Sequence, residues 1–170
     1  MSEHVGPADA APVHPNVRRV VDAASAAGLP IEVQRHADGA RTAQDAARAV
    51  GCDVAQIVKS LVFVADGTPV LALVSGADRL DTGRLAAELG ASDVRRAGAD
   101  EARQATGFPI GGVPPLGHRE PLPVLIDEHL LRHDLVWAAA GLPDAVFSAD
   151  PRRLAVAAGA RTVRVAAPEG

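Results

Sequence analysis

Residues 60–75 read SLVFVADGTPVLALVS: two apolar runs of six, separated by Asp66, Gly67, Thr68 and Pro69. Asp-Gly between β-forming runs is the short-range signature of a tight hairpin, so Ser60–Ala65 and Val70–Ser75 are predicted to pair as antiparallel strands. On the N-terminal side, DVAQIVK reads as a short helical turn. Before it, TAQDAARAVG is a capped helix, with Thr42 as N-cap, Asp45 three residues on and Gly51 as the stop. PIEVQRH alternates as a strand does. NVRRVVDAASAAG places Val17, Val20, Val21 and Ala24 on one helical face and ends at Gly28. Residues 1–15, rich in Ala, Pro and His, are expected to form a disordered arm.

On the C-terminal side, DTGRLAAELG is a capped helix from Asp81 to Gly90, ASDVRRA a strand, and DEARQATG a short helix closed by Gly107. FPIGGVPPLGHREPLP, Phe108 to Pro123, is a loop because its Gly and Pro content opposes helix and ladder alike. VLID, LVWAAA and AVFSA are predicted strands. Asp150 caps a helix with Pro151 at its first position, and RTVRVA is a last strand. Helices and short strands mix irregularly, with hairpin-like pairs. The expected fold class is therefore α/β (α+β), a single domain over residues 16–170 with a mixed sheet flanked by helices.

Composition narrows the function. The 170 residues are 48% hydrophobic and 22% charged, with only 2% aromatics, so the core must come from Val, Leu, Ile and Ala. A net charge of −4 opposes an extended clamp on DNA or RNA but leaves room for brief contact with the end of a nucleic acid. Cys52 is the one cysteine, which fits a reducing cytoplasm. No secretory signal and no apolar run near the roughly 20 residues of a membrane span can be read.

Lys59 is the only lysine beside sixteen arginines. An ammonium is compact, with three donors and a pKa that moves on burial, whereas guanidinium is a broad planar fork. Ile57, Val58, Leu61, Val62 and Phe63 flank it. It reads either as a snorkelling lysine at a strand end or as an ammonium in a pocket, binding phosphate or carboxylate or forming a Schiff base. In the sixteen-residue loop, Gly111 and Gly112 let a ligand approach backbone N–H groups, while Pro114 and Pro115 stiffen the backbone beyond them. Such amides can polarise a carbonyl. His118, near the middle of the loop, could exchange a proton with a ligand. His129 and His133 lie one helical turn apart, but no Cys pair or nearby carboxylate motif completes a metal site. Cys52 has no histidine partner in sequence that would make it a nucleophile. P-loop, dinucleotide and nucleophile-elbow motifs are missing.

VKSLVFVADGTPVLALV, LDTGRLAAELGASDV and ATGFPIGGVPPLGHREPLPVLID together, in this order, resemble the YbaK family of free-standing editing proteins, related to the editing insertion of bacterial prolyl-tRNA synthetase. The likeness runs from about residue 30 to residue 165. It implies a mixed, curved sheet and hydrolysis, without metal or other cofactor, of the ester joining a wrong amino acid to the 3′-adenosine of a tRNA. Lys59 matches the family's essential lysine, and Gly111 and Pro115 match its Gly-x-x-x-Pro loop. The resemblance assigns Lys59 to the terminal phosphate and the amides near Gly111 and Gly112 to the aminoacyl carbonyl. Phe108, Pro115, His118, Ala139 and Val146 become expected substrate contacts. Ala139 and Val146 stand where cysteine-editing relatives carry serine and aspartate, which makes the pocket wall apolar and favours a small residue such as alanine as readily as cysteine. Pro114 replaces a small polar residue of some relatives, and His118 a glutamine. Expected partners are the acceptor end of an aminoacyl-tRNA, held transiently, and an aminoacyl-tRNA synthetase, with no membrane and no DNA. A non-catalytic module binding aminoacyl-adenosine or an acceptor end is the competing reading, and Schiff-base chemistry at Lys59 a third.

Overall fold

The computed structural model describes residues 13–36 and 42–168. The arm expected over residues 1–15 falls almost wholly outside them. In chain order the elements are α1 (Pro15–Ala26), β1 (Val33–Arg35), α2 (Ala43–Val50), a 3-10 turn (Val54–Gln56), β2 (Val58–Ala65), β3 (Thr68–Ser75), β4 (Asp78–Leu80), α3 (Thr82–Leu89), β5 (Val94–Arg96), α4 (Ala99–Thr106), β6 (Val124–Asp127), a second 3-10 turn (Glu128–Arg132), β7 (Val136–Ala139), β8 (Ala145–Ala149), α5 (Pro151–Ala158), β9 (Arg161–Val163) and β10 (Ala166–Pro168). No helix among the described residues is long and apolar enough to cross a membrane.

The hairpin forms as its sequence demands. Asp66 and Gly67 both take positive φ, 48° and 84°, and β2 pairs β3 antiparallel from Val58 opposite Ser75 to Ala65 opposite Thr68. The Asp66 carboxylate also accepts from the Asp93 amide at 2.8 Å, which fixes the entry to β5 beside β2. The resulting sheet has the order β5-β2-β3-β6-β9, antiparallel on the β5 side of β3 and parallel on the β9 side. Both of its faces are covered. Val58, Val62, Leu71, Leu73 and Ile126 face a core shared with α1, α4, α5 and a second sheet, β1-β8-β7. Phe63, Ala65, Val70, Ala72 and Val74 face a smaller core with Leu85 of α3. Burial on both faces explains why the two runs carry so few polar residues.

The helix caps hold their predicted places. Thr42, Asp81 and Asp150 accept backbone amides at the starts of α2, α3 and α5, and Gly51 and Gly90 close α2 and α3 in left-handed conformations; Gly159, which the sequence reading did not single out, closes α5 in the same way. Arg95 grips Glu101 through two bonds of 2.8 and 2.7 Å, tying α4 to β5; this fork, with the Gly98 amide, holds the Glu101 carboxyl down at about 2.

One strand departs from expectation. RTVRVA does not run on as a unit: β9 pairs β6, the chain breaks at Arg164 and Val165, and β10 then pairs β4. The cause is Asp127, only 1% exposed, whose Oδ1 accepts from the Val165 and Ala166 amides at 2.8 and 3.0 Å and so turns the chain at that corner. Phe108–Pro123 carries neither helix nor strand, yet Gly112 to Leu116 are all buried, with Gly111 exposed at the turn just before them. Irregular backbone normally stays at the surface because its amides need water. Pro114 and Pro115 have no N–H to strand, which lowers the cost of burying this one.

Candidate active site

Strand β2 has one edge fully paired with β3 and one that is not. On the outer edge Ile57 bridges Trp137 of β7, and the β5 pairing starts only at Phe63, with the Ala97 amide donating to the Val62 carbonyl. Between these points a cavity of about 340 Å³ opens. Six consecutive residues, Ile57 to Val62, border it, which requires that it meet the strand edge-on. Thr42, Ala43, Ala46 and Val50 of the α2 segment, Arg96 of β5 with Ala97 after it, Ala102 of α4, Ile110, Gly111 and Val113 of the loop, and Trp137, Ala138, Ala139, Pro143 and Val146 complete the wall. The size and mostly apolar lining suit a small ligand.

Lys59 borders this cavity from the edge, half-buried, on the same face of β2 as Leu61 and Phe63. Its ammonium donates to the backbone carbonyl of Asp78 in β4. That carbonyl is held from two sides. Asp78 pairs with Pro168 of β10, and its carboxylate accepts from His129 Nδ1 at 2.7 Å. The His129 amide in turn donates to Asp127 Oδ2 at 3.0 Å. Asp78, Asp127 and His129 thus lie within 4.8 Å of one another, every one of them engaged in these bonds. The carboxylates that meet His129 come from Asp127, two residues away, and Asp78, fifty-one residues away, while His133 is not part of the group.

Gly111 sits at the third position of a turn in which the Gly112 amide donates to the Pro109 carbonyl at 2.9 Å; its φ of 91° is the conformation that position requires. The turn therefore uses the Gly112 N–H that was expected to face a ligand carbonyl, and does not use that of Gly111. Gly112 has a packing role instead: a Cβ there would lie 2.8 Å from Leu142 Cα, so only glycine lets the loop close on the β7–β8 connection. Ala139 and Val146, singled out from positions seven residues apart, are direct cross-strand partners and both line the cavity.

Three expected contacts lie elsewhere. Phe108 is fully buried in the main core, with the Arg19 guanidinium 4.8 Å above its ring. Pro115 is buried within the loop and does not border the cavity. His118 Nε2 donates to the Pro114 carbonyl at 2.7 Å, stapling the loop to itself. Burial pushes the His118 pKa down, and that hydrogen bond pulls the other way. The structure adds Ser60, whose Oγ is buried with no hydrogen-bond partner in the cavity wall. Its signal in the sequence was a hydroxyl beside the single lysine in an otherwise apolar run.

A family model described as the aminoacyl-tRNA editing domain matches residues 37–157. The chain belongs to that family. A solved structure, described as a proposed trans-editing enzyme for prolyl tRNA synthetase, is similar to this editing-domain chain at 45% identity and a TM-score of 0.85, covering 94% of this chain and 100% of that one. The proline–tRNA ligase of Acidithiobacillus ferrooxidans is 37% identical over 107 residues, and that of Limosilactobacillus fermentum 32% over 97. Those alignments take in 61% and 54% of this chain but only 18% and 17% of the ligases, so the editing-domain chain matches less than a fifth of their length.

Proposed function

We propose that this editing-domain enzyme works in trans, hydrolysing in the β2-edge cavity the ester between tRNA(Pro) and a small noncognate amino acid such as Ala or Cys. The observation that carries the reading is convergence: Lys59, Gly111, Ala139 and Val146 come from separate parts of the chain and border one cavity. An aminoacyl ester is already activated, so orientation and exclusion of wrong substrates supply most of what is needed. The Gly111 amide polarises the carbonyl oxygen, and Lys59, with three donors, binds a phosphate of the acceptor end while keeping its bond to the Asp78 carbonyl. Water, or a group of the substrate itself, attacks the carbonyl carbon. The bond to the 3′-oxygen breaks, that oxygen takes a proton, and free amino acid and tRNA leave. The methyl groups of Ala139 and Val146 give the amino-acid end an apolar wall. The setting is the cytoplasm, contact with the acceptor end is transient, and prolyl-tRNA synthetase is the enzyme whose errors are cleared.

The test is deacylation of Ala-, Cys- and Ser-charged tRNA(Pro) by wild type and Lys59→Ala. Hydrolysis that fails with the variant supports the reading, and the fastest pair names the amino acid. Hydrolysis indifferent to the variant removes Lys59 from the account. Binding of these tRNAs without turnover would replace the enzyme by a recognition module.

A further inference from the structure

The open edge of β2 has a direction that the hydrogen bonds fix. The Gly76 amide donates to the Ile57 carbonyl at 2.7 Å, so the main-chain groups of Ile57 face β3. In an antiparallel ladder this alternates, turning Lys59, Leu61 and Phe63 toward β3 and Val58, Ser60 and Val62 outward. The Ala97 amide on the Val62 carbonyl, at 2.9 Å, agrees. No strand among the described residues covers Lys59 to Leu61 on that side. The Ser60 N–H and C=O therefore point across the bare edge toward the cavity that Ser60 borders, and its Oγ, buried without a partner, lies beside them on the Val58 and Val62 face.

A hydroxyl buried without a partner costs stability, and a ligand that satisfies it recovers the loss. The ligand's chemistry is set by what the rest of the wall offers. Lys59, Arg96 and the Gly111 amide are donors, matched to phosphate and carbonyl oxygens. An aminoacyl ester also has a donor end, its α-ammonium, and that end needs acceptors. We infer that Ser60 is the anchor for the substrate's α-ammonium, its main-chain carbonyl and Oγ accepting from that group, so that the site selects esters with a free α-amino group. The inference rests on the deacylase reading above and adds to it the polar feature by which the aminoacyl group is held.

The test uses the full chain, wild type and Ser60→Ala, on the aminoacyl-tRNA(Pro) hydrolysed fastest and on its N-acetylated form. Melting temperature is read alongside kcat/KM. Ser60→Ala should melt no lower than wild type and lose on the order of tenfold to a hundredfold in kcat/KM on the free-amino ester, the range for a hydrogen bond to a charged group. Wild type should lose a comparable factor on the N-acetyl ester, where Ser60→Ala should cost nothing further. Equal wild-type rates on the two esters, or the same Ser60→Ala loss on both, would overturn the anchor and leave the deacylase standing. If wild type hydrolyses neither ester, the deacylase reading fails. Calorimetric binding of 3′-amide-linked alanyl-adenosine then decides the anchor alone: weaker binding of its N-acetyl form supports it, equal binding overturns it.

Discussion

Among the described residues, strand β2 is paired residue for residue along one edge and bare through the middle of the other, and the two edges follow different rules. Along the inner edge, Val58 to Ala65 oppose Ser75 to Thr68 without a gap, and the strands pack into a core on each face. Along the outer edge the partners are β7 at one end and β5 at the other, with the cavity between them. Exposed strand edges are usually blunted because they recruit other chains. This one is walled in by α2, the loop and the β7–β8 connection, so its free main-chain groups are offered only to a ligand small enough to enter. Ser60 and Leu73, which face each other across the ladder, make the contrast at a single cross-strand pair: Leu73 is fully buried among apolar neighbours, while Ser60 carries the orphaned hydroxyl.

Leu73→Ala should cost about 2–5 kcal/mol in urea unfolding, since it empties core space on the paired edge. A loss as small as that of a surface substitution would mean the inner edge is not the structural one. Lys59→Ala probes the other edge. It should lower kcat/KM for deacylation by roughly a hundredfold, about 2.7 kcal/mol of transition-state stabilisation, while the far-ultraviolet spectrum stays native. Gly112→Ala tests how the cavity mouth is closed. Forcing a methyl group against Leu142 should destabilise the fold by ~1–3 kcal/mol, visible as a lower melting temperature with reduced activity.

Two further substitutions sharpen the picture. Ala139→Ser combined with Val146→Asp puts polar groups on a cross-strand pair in the cavity wall, and should move the preference between Cys- and Ala-tRNA(Pro) by roughly tenfold. An unchanged ratio would exclude those positions from substrate selection. The smallest effect is expected at His118. Its folded pKa lies below the ordinary histidine value of about 6.5, so the unfolded chain binds more protons just below that pH. The stability this group contributes is present above about pH 6.5 and is lost as the pH falls through the folded value. His118→Gln, which keeps a donor for the Pro114 carbonyl, should flatten a plot of melting temperature against pH in the acid range. A slope as steep as that of wild type would show that the imidazole is not what titrates.

How much of this was legible depended on distance along the chain. The hairpin, the caps at Thr42, Asp81 and Asp150, and the Gly/Pro loop are written locally, each by residues within a few positions, and the structure places them as read. Lys59 and Gly111 stood out locally, as the single lysine and within the Gly/Pro loop, whereas Ala139 and Val146 could be singled out only because the family resemblance supplied what local physics could not. The break between β9 and β10 depends on a carboxylate 38 residues away, and the support of the Asp78 carbonyl on a histidine 51 residues away. Phe108 as a core residue under Arg19 likewise depends on a contact made only after folding. The bare edge of β2 is harder still. It is a missing partner, and no pattern within a strand encodes which of its neighbours stop short.

The buried Gly/Pro loop has a consequence for how the chain is cut. Proteases need an extended, accessible stretch of backbone, and unstructured connections normally provide it. Here the run from Val113 to Leu116 is closed to solvent and includes two prolines. Limited digestion of the native protein should therefore leave this segment intact until the domain as a whole opens, so that cleavage after Leu116 reports global unfolding.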